Sequence, residues 1–178
     1  MEAEAIQLEP GATPPWELPD DKLLAECRFE AFVASGPGGQ KRHKTNAAVR
    51  YTHLPTRIHA VATDSRSQRE NRIHALRELR HKLAMEIRRD VDTLDFRPPE
   101  WFSEYPHLHI NPKNPRYPAA VAIVLDVLYA MRWGISSAAT ILGLSTSGLT
   151  RFLHDDPALW TRVNDTRRQL GMKPLTWR

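Results

Sequence analysis

Ser35-Gly36-Pro37-Gly38-Gly39-Gln40-Lys41-Arg42-His43-Lys44-Thr45-Asn46-Ala47-Ala48-Val49-Arg50 is the stretch that decides the fold. Its glycine- and proline-rich first half can be neither a strand nor a helix interior. Upstream, the period is two. Cys27, Phe29, Ala31 and Val33 face one way and Arg28, Glu30 and Phe32 the other, which predicts a half-buried strand with Cys27 as a structural thiol on its inward face. Downstream, Ala47 to His53 reads as a second strand, Leu54-Pro55-Thr56-Arg57 as a turn, and Ile58 to Thr63 as a third strand. So short a connection predicts an antiparallel hairpin. A helix then starts at Ser67, spaced from Glu70 as a capping box. Ile73, Leu76, Leu79, Leu83 and Ile87 recur at steps of three and four and form the stripe expected to lie on the sheet. Arg69, Arg72, Arg80, Lys82 and Arg89 are expected to face largely outward.

The loop Gly36-Pro37-Gly38-Gly39-Gln40, its basic continuation, His53-Leu54-Pro55-Thr56 and the run Arg66-Ser67-Gln68 with Asn71 together resemble the catalytic domain of class I peptide chain release factors. The resemblance covers roughly Leu24 to Ile87. Adjacent glycines let main chain approach a ligand closely and adopt angles closed to residues with a Cβ. The resemblance implies that Gly38, Gly39 and Gln40 are catalytic and enter the peptidyl-transferase centre of the large ribosomal subunit. It implies that the Gln40 backbone N–H stabilises charge developing on the peptidyl-tRNA ester while its side chain positions water. That is electrostatic preorganisation without nucleophile, metal or cofactor. Lys41, Arg42, His43, Lys44, Arg50, Arg66, Arg69 and Arg72 are the candidate contacts to rRNA or tRNA. Two features depart from the family. Lys41-Arg42-His43 replaces its usual His-Val-Asn or His-Arg-Asn, and Arg57 replaces the glycine after His-x-Pro-Thr.

The fold class expected is α+β: a small, mostly antiparallel sheet with one long helix, followed by an all-α, helix-turn-helix-like module. Residues 1–19 read as a flexible leader rich in proline, with Asp20 as N-cap of a short helix. Residues 20–95 read as the catalytic domain, 96–118 as a proline-rich linker pinned by Trp101, Phe102, Tyr105 and Ile110, and 119–178 as the helical module. In that module helices are expected over Ala119–Trp133, Ser136–Leu142, Ser145–Leu153 and from Pro157 to about Leu170. Its reading side would be Thr146, Ser147, Thr150, Arg151 and His154, with a single arginine among them.

The chain has 178 residues, a formal charge of +4 and one cysteine. That composition excludes an internal disulfide and a cysteine-built zinc site. Neither His107 with His109 nor His74 with His81 has a carboxylate set at the usual zinc-ligand spacing. No apolar run reaches the ~20 residues of a membrane span, so no membrane partner is expected and the chain reads as cytoplasmic. Basic residues crowd Ser35 to Asp95, while acids dominate before Cys27, an asymmetry that fits a polyanion partner for the middle segment. Nothing before Cys27 reads as a codon-reading domain, so the expectation is a monomeric, codon-independent factor that rescues ribosomes by hydrolysing peptidyl-tRNA. Two alternatives stay open: a non-catalytic ribosome- or RNA-binding factor with an altered loop flank, and a helix-turn-helix regulator.

Overall fold

The computed structural model describes residues 5–33 and 47–177. The chain is α+β and divides into two compact units, Pro10–Glu86 and Met1–Glu9 with Ile87–Arg178. The second begins with β1 (Ile6–Gln7), a strand within the segment expected to be a flexible leader.

The Pro10–Glu86 unit is built on three antiparallel strands in sequence order: β2 (Cys27–Phe32), β3 (Ala48–His53) and β4 (His59–Ala62). The hairpin expected on either side of Leu54–Arg57 is present, with Tyr51 opposite Ala60. Arg57 holds φ at 63°, the left-handed region that the glycine of related turns enters freely. The turn survives without that glycine because His53 N donates to Ile58 O at 2.8 Å and Arg57 N to His53 O at 2.8 Å.

The long helix α2 (Gln68–Glu86) covers β3 and β4. Its buried residues are Asn71, Ala75, Leu79, Leu83 and Ala84, whereas Ile73, expected in the stripe, is 52% exposed. The stripe is therefore set by Leu79 and Leu83 and runs back through Ala75 to Asn71 in steps of four. Full burial of each leucine stabilises the unit by about 1.5–3 kcal/mol. Half of the capping box forms: Glu70 N donates to Ser67 Oγ at 3.3 Å. The Glu70 carboxylate takes the Ser65 hydroxyl as its donor instead of Ser67 N, and Ser65 Oγ accepts from Ser67 N at 3.0 Å.

Arg80 also departs from the expectation. It turns inward, donating to Pro15 O, Trp16 O and Asp20 Oδ1. The 3-10 turn Pro15–Glu17 and the short helix α1 (Asp20–Ala25) are thereby tied to α2, and Trp16 and Leu23 are buried. Asp20 spends its carboxylate on Arg80 and caps nothing; the N-cap position belongs to Pro19.

In the other unit β1 pairs in parallel with β5 (Ile87–Arg88). Four helices follow: α3 (Tyr117–Ala130), α4 (Ile135–Ile141), α5 (Thr146–His154) and α6 (Pro157–Gln169), each within three residues of its expected bounds. Ser145 caps α5 by accepting from Gly148 N at 3.0 Å, and Asp156 caps α6 through Ala158 N and Leu159 N. Asp126 of α3 is buried and accepts from Arg88 Nη1 at 3.1 Å, Arg89 N at 3.1 Å and Arg89 Nε at 3.3 Å. Burial pushes its carboxyl up, and the two arginines pull against that. Arg89, expected to face out, is thus an internal partner. The 96–118 stretch buries Phe102, Leu108 and Ile110. No described helix is long and apolar enough to cross a membrane.

A left-handed residue with a Cβ costs about 1–2 kcal/mol. Arg57→Gly relieves that strain and adds unfolded-chain entropy, so a net gain on the order of 0.5–1 kcal/mol is expected in urea unfolding. A loss of stability would mean that the Arg57 side chain supports the turn.

Candidate functional site

The glycine loop joins the end of β2 to the start of β3, so the residues at its two roots are the structural part of the site within view. Gly38, Gly39, Gln40, Lys41, Arg42, His43 and Lys44 lie outside the described residues.

The root after the loop is held by Asn71. Its Nδ2 donates to Ala47 O at 2.6 Å and to Ser65 O at 2.8 Å, and its Oδ1 accepts from Ser65 N at 3.0 Å. Asn71 is fully buried, on the sheet-facing side of α2, and a buried amide needs such partners. One side chain thus ties the first described residue of β3's approach to the segment that leads into α2.

A second polar cluster stands at the far end of the hairpin. His53 is buried, with Nδ1 2.8 Å from Thr56 Oγ1 and Nε2 3.0 Å from Glu26 Oε2. Thr56 Oγ1 also accepts from Ile58 N at 3.3 Å, and Leu54 N donates to Glu26 O at 2.9 Å. The His-x-Pro-Thr sequence is therefore structural: it locks the β3–β4 turn to the start of β2. Of the site-bearing pattern, Asn71 and His53 hold positions rather than meet a ligand.

Among the described residues, the expected cations do not form one patch. Arg66, Arg69 and Arg72 are exposed on the α2 side, and Arg72 lies 4.5 Å above the Phe29 ring while donating to Gln68 Oε1 at 3.0 Å. Arg50 points to the opposite face of the sheet, where its guanidinium lies 5.5 Å from the Phe32 ring centroid. Strand alternation explains the split, since Phe29 and Phe32 are three positions apart on β2. These stacked pairs were not expected from charge counting. The signal that could have found them is the odd and even placement of the two phenylalanines against arginines at the paired positions.

Cys27 is half-buried. Burial pushes its thiol up from 9.0 to about 11, the Glu26 charge adds to the rise, and Arg80 opposes it. A thiol so placed is protonated at neutral pH and is no nucleophile.

On the reading side expected in the helical unit, Thr146 and Ser147 are exposed, while Thr150, Arg151 and His154 are half-buried. His154 stacks on Trp177 at 5.0 Å and meets Trp160 edge-on at 5.2 Å. Such a surface offers little charge to phosphates.

The RF-1 domain family matches residues 22–95. Peptide chain release factor 1 of Leptothrix cholodnii is 39% identical over 94 residues, which is 53% of this chain and 22% of that protein. Peptide chain release factor 1 of Burkholderia multivorans is 52% identical over 56 residues, 32% of this chain and 16% of the relative. Peptide chain release factor 2 of Kineococcus radiotolerans is 43% identical over 65 residues, 36% of this chain and 18% of the relative. The matched stretches thus take in about a fifth of those relatives' lengths.

Two measurements check the site's framework. Asn71→Ala removes three buried hydrogen bonds and is expected to cost about 2–3 kcal/mol in urea unfolding. Asn71→Asp keeps the acceptor for Ser65 N but cannot donate to the two carbonyls, so it should also destabilise; wild-type stability in both would remove Asn71 as the anchor. Alkylation of Cys27 at pH 8 should run about 100-fold slower than for an unburied thiol and recover in urea. Equal rates before and after unfolding would make it an accessible thiolate.

Proposed function

We propose that this chain, whose residues 22–95 match the RF-1 domain family, hydrolyses the ester of peptidyl-tRNA on the ribosome, without reading a codon. The observation that carries the reading is the Asn71 anchor. A buried amide making three hydrogen bonds fixes Ala47, on the chain leading from the Gly38-Gly39-Gln40 stretch into β3, to the segment that leads into α2.

In this reading Gly38 and Gly39 let the loop backbone pass close to the reacting carbon. The Gln40 backbone N–H donates to the oxygen that gains charge in the transition state, and the Gln40 side chain orients the attacking water. The ester carbonyl carbon bonds to the water oxygen, and the tRNA ribose oxygen leaves with a proton. Lys41, Arg42, His43 and Lys44 beside the loop, with Arg50, Arg66, Arg69 and Arg72 on the framework, contact rRNA or tRNA backbone. The ribosome, through its large-subunit rRNA, and peptidyl-tRNA are the partners; no cofactor takes part.

Beyond the family match, α3 to α6 are joined by short turns. The Lys41-Arg42-His43 flank favours a second reading, a factor that binds RNA without hydrolysis, because lysine changes the group next to the ester. The single, half-buried arginine on the reading side of α5 leaves few cations for phosphates and speaks against a DNA-reading role.

Release of labelled peptide from ribosomes halted on a truncated message separates these readings. The wild-type chain should release peptide. Gly39→Ala should bind ribosomes normally but lower release by roughly 100-fold or more, the scale of a lost transition-state donor. Gln40→Ala should keep part of the activity, because the backbone donor remains. Binding without release by the wild-type chain would select the non-catalytic reading, and full release by Gly39→Ala would end the loop's catalytic role.

A further inference from the structure

α2 covers one face of the three-stranded sheet, and among the described residues of its unit no helix covers the other. Register puts Arg28, Glu30 and Phe32 of β2, Arg50 of β3, and His59 and Val61 of β4 on that outer face. Its arginines reach solvent, with the Arg28 side chain 64% exposed and that of Arg50 43%, while Glu30 and Phe32 are half-buried and Ala48 on the same face is buried.

The charges there are poorly satisfied. Glu30 stands between Arg28 and Arg50 at 3.6 and 3.8 Å, both too long for a hydrogen bond. Glu30 Oε2 and Arg50 Nε are themselves buried and have no hydrogen-bond partner among the described residues. Pairs so loose are worth little, so the terminal nitrogens of the partly exposed Arg28 and Arg50 keep donors for another anion. Arg50 also lies 5.5 Å from the Phe32 ring centroid, a cation–aromatic pair on this face. The face thus joins two arginines, one weakly engaged carboxylate and an aromatic ring along β2 and β3, from Arg28 opposite Thr52 to Phe32 opposite Ala48.

We propose that this outer sheet face is a docking surface for single-stranded RNA, with Arg28 and Arg50 on phosphates and a base stacked at Phe32. It extends the RNA-contact part of the reading above and is independent of ester hydrolysis. Charge complementarity selects the occupant. Two cations against one carboxylate fit a polyanion, and an aromatic on a sheet face takes an unpaired base, whereas a duplex keeps its bases stacked on one another. Glu30 then acts as the competitor that an incoming phosphate displaces.

That displacement gives the test. Fluorescence anisotropy of the full chain is measured with a short labelled single-stranded RNA of mixed sequence and with an RNA duplex of the same length. Glu30→Gln should tighten single-strand binding by about three-fold, while Glu78→Gln, an acid on α2 paired with Lys82, should not match that gain. Phe32→Leu should weaken single-strand binding roughly ten-fold, the scale of one lost base stack. Arg28→Ala should lower the salt slope by about 0.7. Glu30→Gln keeps the test sharp should Phe32→Leu disturb the edge strand. Equal effects of Glu30→Gln and Glu78→Gln, or duplex bound as tightly as the single strand, would overturn the proposal. Loss of peptide release with this binding pattern intact would instead refute the hydrolysis reading alone.

Discussion

The amide of Asn71 is the constraint on which the rest of the unit depends. Its Nδ2 and Oδ1 bind three backbone groups, two on Ser65 and one on Ala47, so that the approach to β3 and the approach to α2 are held as one piece. An apolar residue in its place would leave those backbone groups to find new partners in a site closed to water. A buried polar residue at this position in the helix stripe is therefore best understood as the fastening of the loop root to the sheet. Leu79 and Leu83 supply the burial that keeps α2 in place, and Arg80 adds the segment around Trp16 to the same framework.

A second fastening, Glu26–His53–Thr56, works at the opposite end of the sheet. With both ends of β3 secured, the strand cannot slip by one residue, a shift that would send Val49 and Tyr51 to the outer face and Arg50 into the helix side. The separation of Arg72 and Arg50 onto opposite faces follows from the same register. What the arginines can touch is thus decided by hydrogen bonds made far from any of them.

Much of this was legible in the sequence. Period-two alternation located β2, the Leu-Pro-Thr turn located the hairpin, and Ser145, Gly143 and Pro157 marked the ends of the C-terminal helices to within a residue or two. The misses share a cause. Ile73 was placed inward and Arg80 outward because the stripe was drawn through apolar residues alone. The actual stripe passes through Asn71, whose burial is stabilised by hydrogen bonds that no hydropathy pattern contains. Likewise the proline-rich first residues looked structureless, yet Pro15–Glu17 and β1 are ordered by partners distant in the chain, Arg80 and β5. Of the candidate site, the cations were legible and their division between two faces was not, since that depends on pairing register.

The central claim is that this framework presents a loop for peptidyl-tRNA hydrolysis that needs no codon. It is tested most directly by comparing release rates on ribosomes carrying a truncated message, a sense codon or a stop codon in the A site. The account predicts release on the truncated message, with a stop codon giving no advantage over a sense codon. Release that requires a stop codon would contradict it and would place a codon-reading function alongside this domain.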